Sequence, residues 1–166
     1  MEITLEMWRA ENYHDFFMAS NDESLRANMS DTFPKTLDEC KQIVNAFSQS
    51  TNTTEYVRAI KIDKQIIGCI AAFFESGMYR KNAEIAYWLK ADYRGRGIMP
   101  NAIKLLAQEL FSVFDLHRIW ARPFELNRAS HRALEKAGFS YEGLLKQDVI
   151  KDGIYLNSVI YALIKD

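Results

Sequence analysis

The sequence places Tyr93-Arg94-Gly95-Arg96-Gly97-Ile98-Met99-Pro100 between a strand-like run at 83–90 and a helix-like run at 98–114. A second short strand-like run follows at 117–122. Strand, helix and strand in that order make the two strands parallel neighbours, because the crossover helix returns the chain to the end where it began. All-helical bundles and sheets built only of hairpins are thereby excluded. The loop itself has a second message. Gly95 and Gly97 permit positive φ, and the helix after them offers unpaired N–H groups with a partial positive charge. Pro100 suits the first helical turn, where a missing N–H costs nothing. Such a junction is a backbone cradle for a phosphate-bearing ligand.

The remaining periodicities surround this unit with antiparallel structure. A short strand is expected at Ile3–Met7, with helical turns at 11–19 and 23–29 and a firmer helix at 36–48. In that helix Thr36 and Glu39 have capping-box spacing, and Leu37, Cys40, Ile43, Val44 and Phe47 recur at three and four. Glu55–Ile62 and 65–75 read as a hairpin about Asp63-Lys64. The strand at 83–90 alternates, with Ile85, Tyr87 and Leu89 on one face and Glu84, Ala86 and Trp88 on the other. Ile103, Leu106, Leu110 and Phe114 mark the buried stripe of the crossover helix. A helix at 127–137 and strands at 141–151 and 154–165, joined at Asp152-Gly153, complete the chain. The expected class is α+β, with a mixed and mostly antiparallel sheet of six to seven strands flanked by helices. One parallel pair lies at the glycine loop, the kind of place where mixed sheets bind ligands.

Composition narrows the function classes. The 166 residues carry a formal net charge of -1, which argues against bulk nucleic-acid affinity. No run approaches the ~20 apolar residues of a membrane helix, and the first residues lack the pattern of a signal peptide. Cys40 and Cys69 have no zinc-type spacing, and Cys69 reads as a small buried hydrophobe. No repeat or linker divides residues 1–166, so one domain in the cytoplasm is expected. His14, His117 and His131 show no metal-ligand spacing. A dinucleotide loop would need a third glycine where Pro100 stands and an acid closing the next strand, which instead ends Arg122-Pro123.

Three segments together resemble the GNAT superfamily of N-acetyltransferases, and within it the Rim-type (RimJ/RimL-like) ribosomal-protein acetyltransferases. They are Ala83-Glu84-Ile85-Ala86-Tyr87-Trp88-Leu89 running into Arg94–Met99, His117–Arg122 leading to Asn127 and Ser130, and Leu134–Phe139 followed by Glu142-Gly143. The resemblance covers about residues 83–163. It implies an acetyl-CoA loop at Arg94, Gly95, Arg96, Gly97, Ile98 and Met99, continuing through Asn101 and Ala102, with Trp88 and Leu89 bordering the acetyl group. Met99 departs from the small residue usual at its position. Asn127, as a residue type, is also simply a good helix N-cap; the resemblance gives it contact with the pantetheine arm and puts Ser130 near the sulfur. Arg132 and Lys136 read first as a solvated face.

Transfer from a thioester to an amine needs a base, a fixed N–H donor for the developing oxyanion, and relief for the leaving thiolate. By the resemblance, Glu84 is the candidate base, the Leu89 backbone N–H the oxyanion donor if the strand splays or bulges there, and Ser130 the acid. Tyr141 is a second-rank acid, and Asp148 stands one position off a glutamate found in some Rim-type enzymes. The expected partners are acetyl-CoA, without a metal, and an amine acceptor. A protein N-terminal α-amino group ranks ahead of a polyamine, aminoglycoside or other small amine. Asp22, Glu23, Asp31, Asp38 and Glu39 are available to attract such cations. A CoA-binding sensor without turnover is the rival from another class, and both monomer and homodimer remain open.

Overall fold

The computed structural model describes residues 2–165. Seven strands form one sheet: β1 (Ile3–Met7), β2 (Glu55–Ile62), β3 (Gln65–Phe74), β4 (Asn82–Leu89), β5 (Arg118–Ala121), β6 (Ser140–Lys151) and β7 (Ile154–Ile164). Their spatial order is β1-β2-β3-β4-β5-β7-β6. Every pairing is antiparallel except β4 with β5, as the crossover requires. Among the described residues, five α-helices flank the sheet: α1 (Tyr13–Ser20), α2 (Glu23–Arg26), α3 (Leu37–Ser48), α4 (Ile98–Val113) and α5 (Arg128–Lys136). None of the described helices is long and apolar enough to cross a membrane.

Two apolar clusters, one on each face of the sheet, account for this layering. The larger gathers Ile60, Ile67, Ile70, Ile85 and Leu89 from the strands with Ile103, Leu106 and Leu110 of α4 and Leu134 of α5. The second sets Trp8, Phe16, Cys40, Val44 and Trp88 together under α1 and α3. Alternation in β4 feeds both, since Ile85 and Leu89 enter the first while Trp88 enters the second, edge-on to Phe16 and Phe33. The helix at 36–48 begins as its capping box dictates, with Thr36 Oγ1 accepting from Glu39 N–H and Glu39 accepting from Thr36 N–H.

The N-terminal third departs from expectation in its boundaries. Residues 10–12 form a 3-10 turn before α1, and only Glu23–Arg26 of the stretch 23–29 is α-helical. Asp22 starts that short helix by accepting from Ser24 N–H. Four residues do not reach a stable length for a helix in isolation. Contacts to the glycine loop, described next, hold it in place.

Candidate active site

The parallel pair separates soon after it forms. Its last registered partners are Glu84 and Trp120, although β4 runs on to Leu89. Lys90 N–H donates to Ile67 O on the β3 side at 2.8 Å. Alternation along the strand therefore turns the Leu89 N–H to the opposite edge, which β5 has left open. The register between β3 and β4 is continuous, so the strand splays without a bulge of its own.

Beyond Leu89 the chain makes a 3-10 turn at Ala91–Tyr93 and enters the glycine loop. Gly95 and Gly97 both have φ of 74°, and a Cβ at either would project into open space. Gly97 heads α4 in the left-handed conformation, with no side chain capping the helix. Gly97, Ile98 and Met99 thus carry the N–H groups that a helix cannot pair with itself, and Pro100 has none. Arg94 does not point to this terminus. Its Nε donates to Leu89 O at 2.9 Å, and its guanidinium reaches Ser24 Oγ at 2.7 Å and Asp22 Oδ2 at 3.0 Å. The first arginine of the motif is therefore a strut between the end of β4, the loop and α2.

A cavity of about 300 Å³ lies over the loop, with Trp88, Leu89, Arg94, Gly95, Gly97, Ile98, Met99, Asn127 and Ser130 among its lining residues. A second, of about 490 Å³, lies between β4, the end of β5 and β6, and Glu84 lines it. Asn28, Met29, Tyr87, Asn127 and Ser130 border both. These shared residues place Ser130 and Glu84 on one continuous cleft. Asn127 caps α5 by accepting from Ser130 N–H at 3.2 Å, which fixes Ser130 in the first turn.

Tyr87, which the strand period places on one face with Ile85 and Leu89, carried no expected role in the site. Its hydroxyl is 2.7 Å from Ser130 Oγ, at the junction of the two cavities. Burial pushes its phenol well above the usual tyrosine range, opposed by the bond to Ser130. The available signal was a tyrosine, which has a polar tip, at a position where phenylalanine would serve packing alone. Ser24, Asn28 and Met29 were also missed, because nothing local tells that the α2 region closes over the loop. Arg132 and Lys136, read as a solvated face, line the first cavity.

Other expectations are not brought to the cleft. The Arg96 guanidinium lies 5.6 Å from the Tyr93 ring centre and outside both linings. Asn101 is exposed, and Ala102 is fully buried in the core, so neither side chain borders the cavity, and the expectation for these two concerns their backbone in the first turns of α4. Tyr141 stands on β6, 56% exposed and edge-on to Tyr161, away from both cavities. Asp148 is occupied by Ser158, whose N–H and hydroxyl donate to it at 3.0 and 2.6 Å.

Burial lifts the Glu84 carboxyl above the ordinary carboxylate range; the Arg122 guanidinium pulls it down and the Glu75 carboxylate adds to the rise. Arg122 Nε is 3.9 Å from Glu84 Oε1, too far for a hydrogen bond. A half-exposed carboxyl with a raised pKa is matched to proton transfer near neutrality better than a free one.

A sheet parted at a parallel pair, an uncapped helix start on one side and a poised carboxyl on the other define a cleft for joining a phosphate-bearing donor to a second substrate. The chain belongs to the acetyltransferase (GNAT) domain family, whose profile matches residues 2–140. It is 33% identical over 102 residues to the probable N-acetyltransferase YjcK of Bacillus subtilis (strain 168), covering 61% of this chain and 56% of that protein. Identity to the ribosomal-protein-serine acetyltransferase of Escherichia coli (strain K12) is 31% over 104 residues, covering 63% and 58%. These matches thus span a little over half the length of the curated relatives. Among solved structures, the microcin C7 self-immunity acetyltransferase MccE, in complex with acetyl-CoA and AMP, superposes with a TM-score of 0.89 at 24% identity, covering 99% of this chain and 93% of that one. RimL, the ribosomal L7/L12 α-N-protein acetyltransferase in complex with coenzyme A, gives 0.88 at 20% identity, covering 98% and 93%. The fold is that of the GNAT family, with the mixed seven-stranded sheet and single parallel pair that the sequence implied.

Proposed function

We propose that residues 1–166 act as one acetyl-CoA-dependent N-acetyltransferase domain whose acceptor is a primary amine, a protein N-terminal α-amino group ranking first. The observation that carries this reading is the opening between β4 and β5. It sets an uncapped helix start, a strand N–H without a ladder partner and the carboxyl of Glu84 around one continuous cleft. Acetyl-CoA supplies the activated acyl group. The N–H groups of Gly97, Ile98 and Met99 suit its diphosphate, and Arg132 and Lys136 add positive charge on the same cavity. The Leu89 N–H serves as the donor where negative charge develops on the carbonyl oxygen.

Glu84 takes a proton from the acceptor's ammonium, directly or through water, and the neutral amine that results attacks the thioester carbonyl. An α-amino group, with an unperturbed pKa near 8, needs less help than a lysine near 10.4. Ser130 and Tyr87 face the departing sulfur as a hydrogen-bonded pair. Burial keeps the Tyr87 phenol neutral; either oxygen of the pair can donate, and in this reading Tyr87 donates to Ser130 so that the Ser130 proton is left for the sulfur. The acidic N-terminal residues favour a polyamine acceptor less than their number suggests. Asp22 is bound to Arg94, and Glu39 closes a capping box. Asp31 is paired with Lys151.

Calorimetry with acetyl-CoA, followed by free-thiol release across N-terminal peptides, polyamines and aminoglycosides, tests the reading. Saturable binding with thiol release supports it. Binding without release from any amine assigns a sensor instead, and no binding by folded protein removes the proposal. Gly97→Val is expected to weaken acetyl-CoA about tenfold, since holding a non-glycine residue left-handed costs ~1–2 kcal/mol; a Kd unchanged in a folded variant contradicts the cradle. Tyr87→Phe and Ser130→Ala are each expected to lower kcat about tenfold, and the double variant little further, because the two hydroxyls act as a unit. Fully additive losses break that assignment.

A further inference from the structure

We infer that the acceptor amine carries a carboxylate a few bonds away, and that Arg122 reads this anion; the inference rests on the transfer reading above. Among the described residues, four charged side chains line the second cavity: Asp31, Glu84, Arg122 and Lys151. Two of them are committed to each other. Lys151 Nζ donates to Met29 O at 2.8 Å and to Asp31 Oδ1 at 3.4 Å, and Asp31 also accepts from Asp152 N–H at 3.3 Å.

Glu84 and Arg122 are different. Neither makes a hydrogen bond to any described residue. Arg122 stands 3.9 Å from Glu84 on one side and 3.9 Å from Asp148 on the other, while Asp148 is already held by Ser158. The guanidinium leans 5.8 Å from the Trp120 ring centre and keeps 41% of its side chain exposed. Its planar fork of donors is therefore open toward the cleft.

At the cavity wall, which Glu84 and Arg122 line and Asp148 does not, the carboxylate and the guanidinium form a short dipole. Its electrostatic complement is an ammonium and an anion spaced a few ångström apart and laid antiparallel, the ammonium on Glu84 and the anion on Arg122. A free α-amino acid has this shape, and so does a peptide N-terminus whose first side chain is acidic. A neutral amine meets only half of the dipole. A polyamine brings its second ammonium toward Arg122, which repels it. Met29, Phe124 and Val149 supply apolar wall to the same cavity. The guanidinium fork also grips a carboxylate through two parallel bonds, which a point charge does not.

The test measures thiol release from acetyl-CoA by the full chain with paired acceptors: alanine against alaninamide, a peptide beginning Asp against the same peptide beginning Asn, and spermidine alone. The anionic member of at least one pair is expected to win by about tenfold in kcat/KM, and the productive pair identifies the source of the anion. Arg122→Gln is expected to collapse that ratio chiefly through KM, Arg122→Lys to retain part of it, and Arg122→Glu to move the preference toward spermidine. Acetyl-CoA calorimetry and Tm show whether each variant is folded. Because Arg122 also bears on Glu84, ratios are compared on each variant's own pH plateau. A wild type that treats both members of every pair alike, or prefers spermidine, overturns the inference and leaves the transfer reading standing. A ratio that survives Arg122→Gln overturns the role of Arg122. Absence of thiol release from every arm instead removes the transfer reading, and the inference with it.

Discussion

Glu84→Gln is expected to lower kcat/KM by about 10²-fold or more while leaving Tm at neutral pH unchanged or higher. The opposite directions follow from one fact. Burial raises the Glu84 carboxyl above its ordinary value, so the fold favours the protonated form. A raised acid contributes stability that is fully present below its unfolded pKa and is lost as pH climbs through the folded one. Wild type therefore carries an unfavourable charge at neutral pH that glutamine, of nearly the same shape, does not. The 3.9 Å approach to Arg122 is half-exposed and recovers little of that cost. Thermal melts across pH should show the two proteins alike in acid, with glutamine gaining above the ordinary glutamate range. The pH–rate profile should lose its lower limb. If the variant melts lower at neutral pH and retains its activity, Glu84 is a structural ion-pair partner and the base lies elsewhere.

How much of this was legible in the residues differs by region. The parallel pair, the loop and α4 followed from local signals: two glycines, a strand period before them and a helix period after. The capping box of α3 and the Asp152-Gly153 turn were legible for the same reason, since each is a short-range hydrogen-bond or φ requirement. The role of Arg94 was not. Its strut joins Asp22 and Ser24, some seventy residues earlier, and no periodicity links them. Tyr87 was placed on the correct strand face, yet the role proposed for it depends on Ser130 across the opened sheet. Arg122 marked only the end of a strand in the sequence. Its open guanidinium became visible once Glu84, Asp148 and the committed Lys151–Asp31 pair surrounded it. Local chemistry thus wrote the proposed donor side of the cleft plainly, whereas the proposed acceptor side is assembled from separated segments.

The second large effect is expected from a residue outside the cleft. Gly68 lies on β3, opposite Leu89, where the β2–β3 register shifts between Ile60 and Lys61. A Cβ built at Gly68 would come within 2.5 Å of the Trp88 carbonyl oxygen and 3.3 Å of Leu89 Cα. No real side chain tolerates the first distance, so something must shift in Gly68→Ala, and with Gly68 held in register by both β2 and β4 the Trp88–Leu89 peptide is expected to give way. That same planar unit carries the Leu89 N–H on its other side, turned toward the opening beside β5. Relief of the clash therefore displaces the proposed oxyanion donor into the cleft. The strain of such overpacking is typically ~1–3 kcal/mol, and loss of one oxyanion donor costs ~10²-fold in kcat. The expected variant is folded with a lower Tm, binds acetyl-CoA nearly normally through the untouched α4 terminus, and turns over at least tenfold more slowly. Calorimetry, melting and single-turnover rates separate these three effects. Unchanged turnover in a variant of lowered Tm would mean that the peptide after Trp88 takes no part in the chemistry, whatever role the loop beyond it plays.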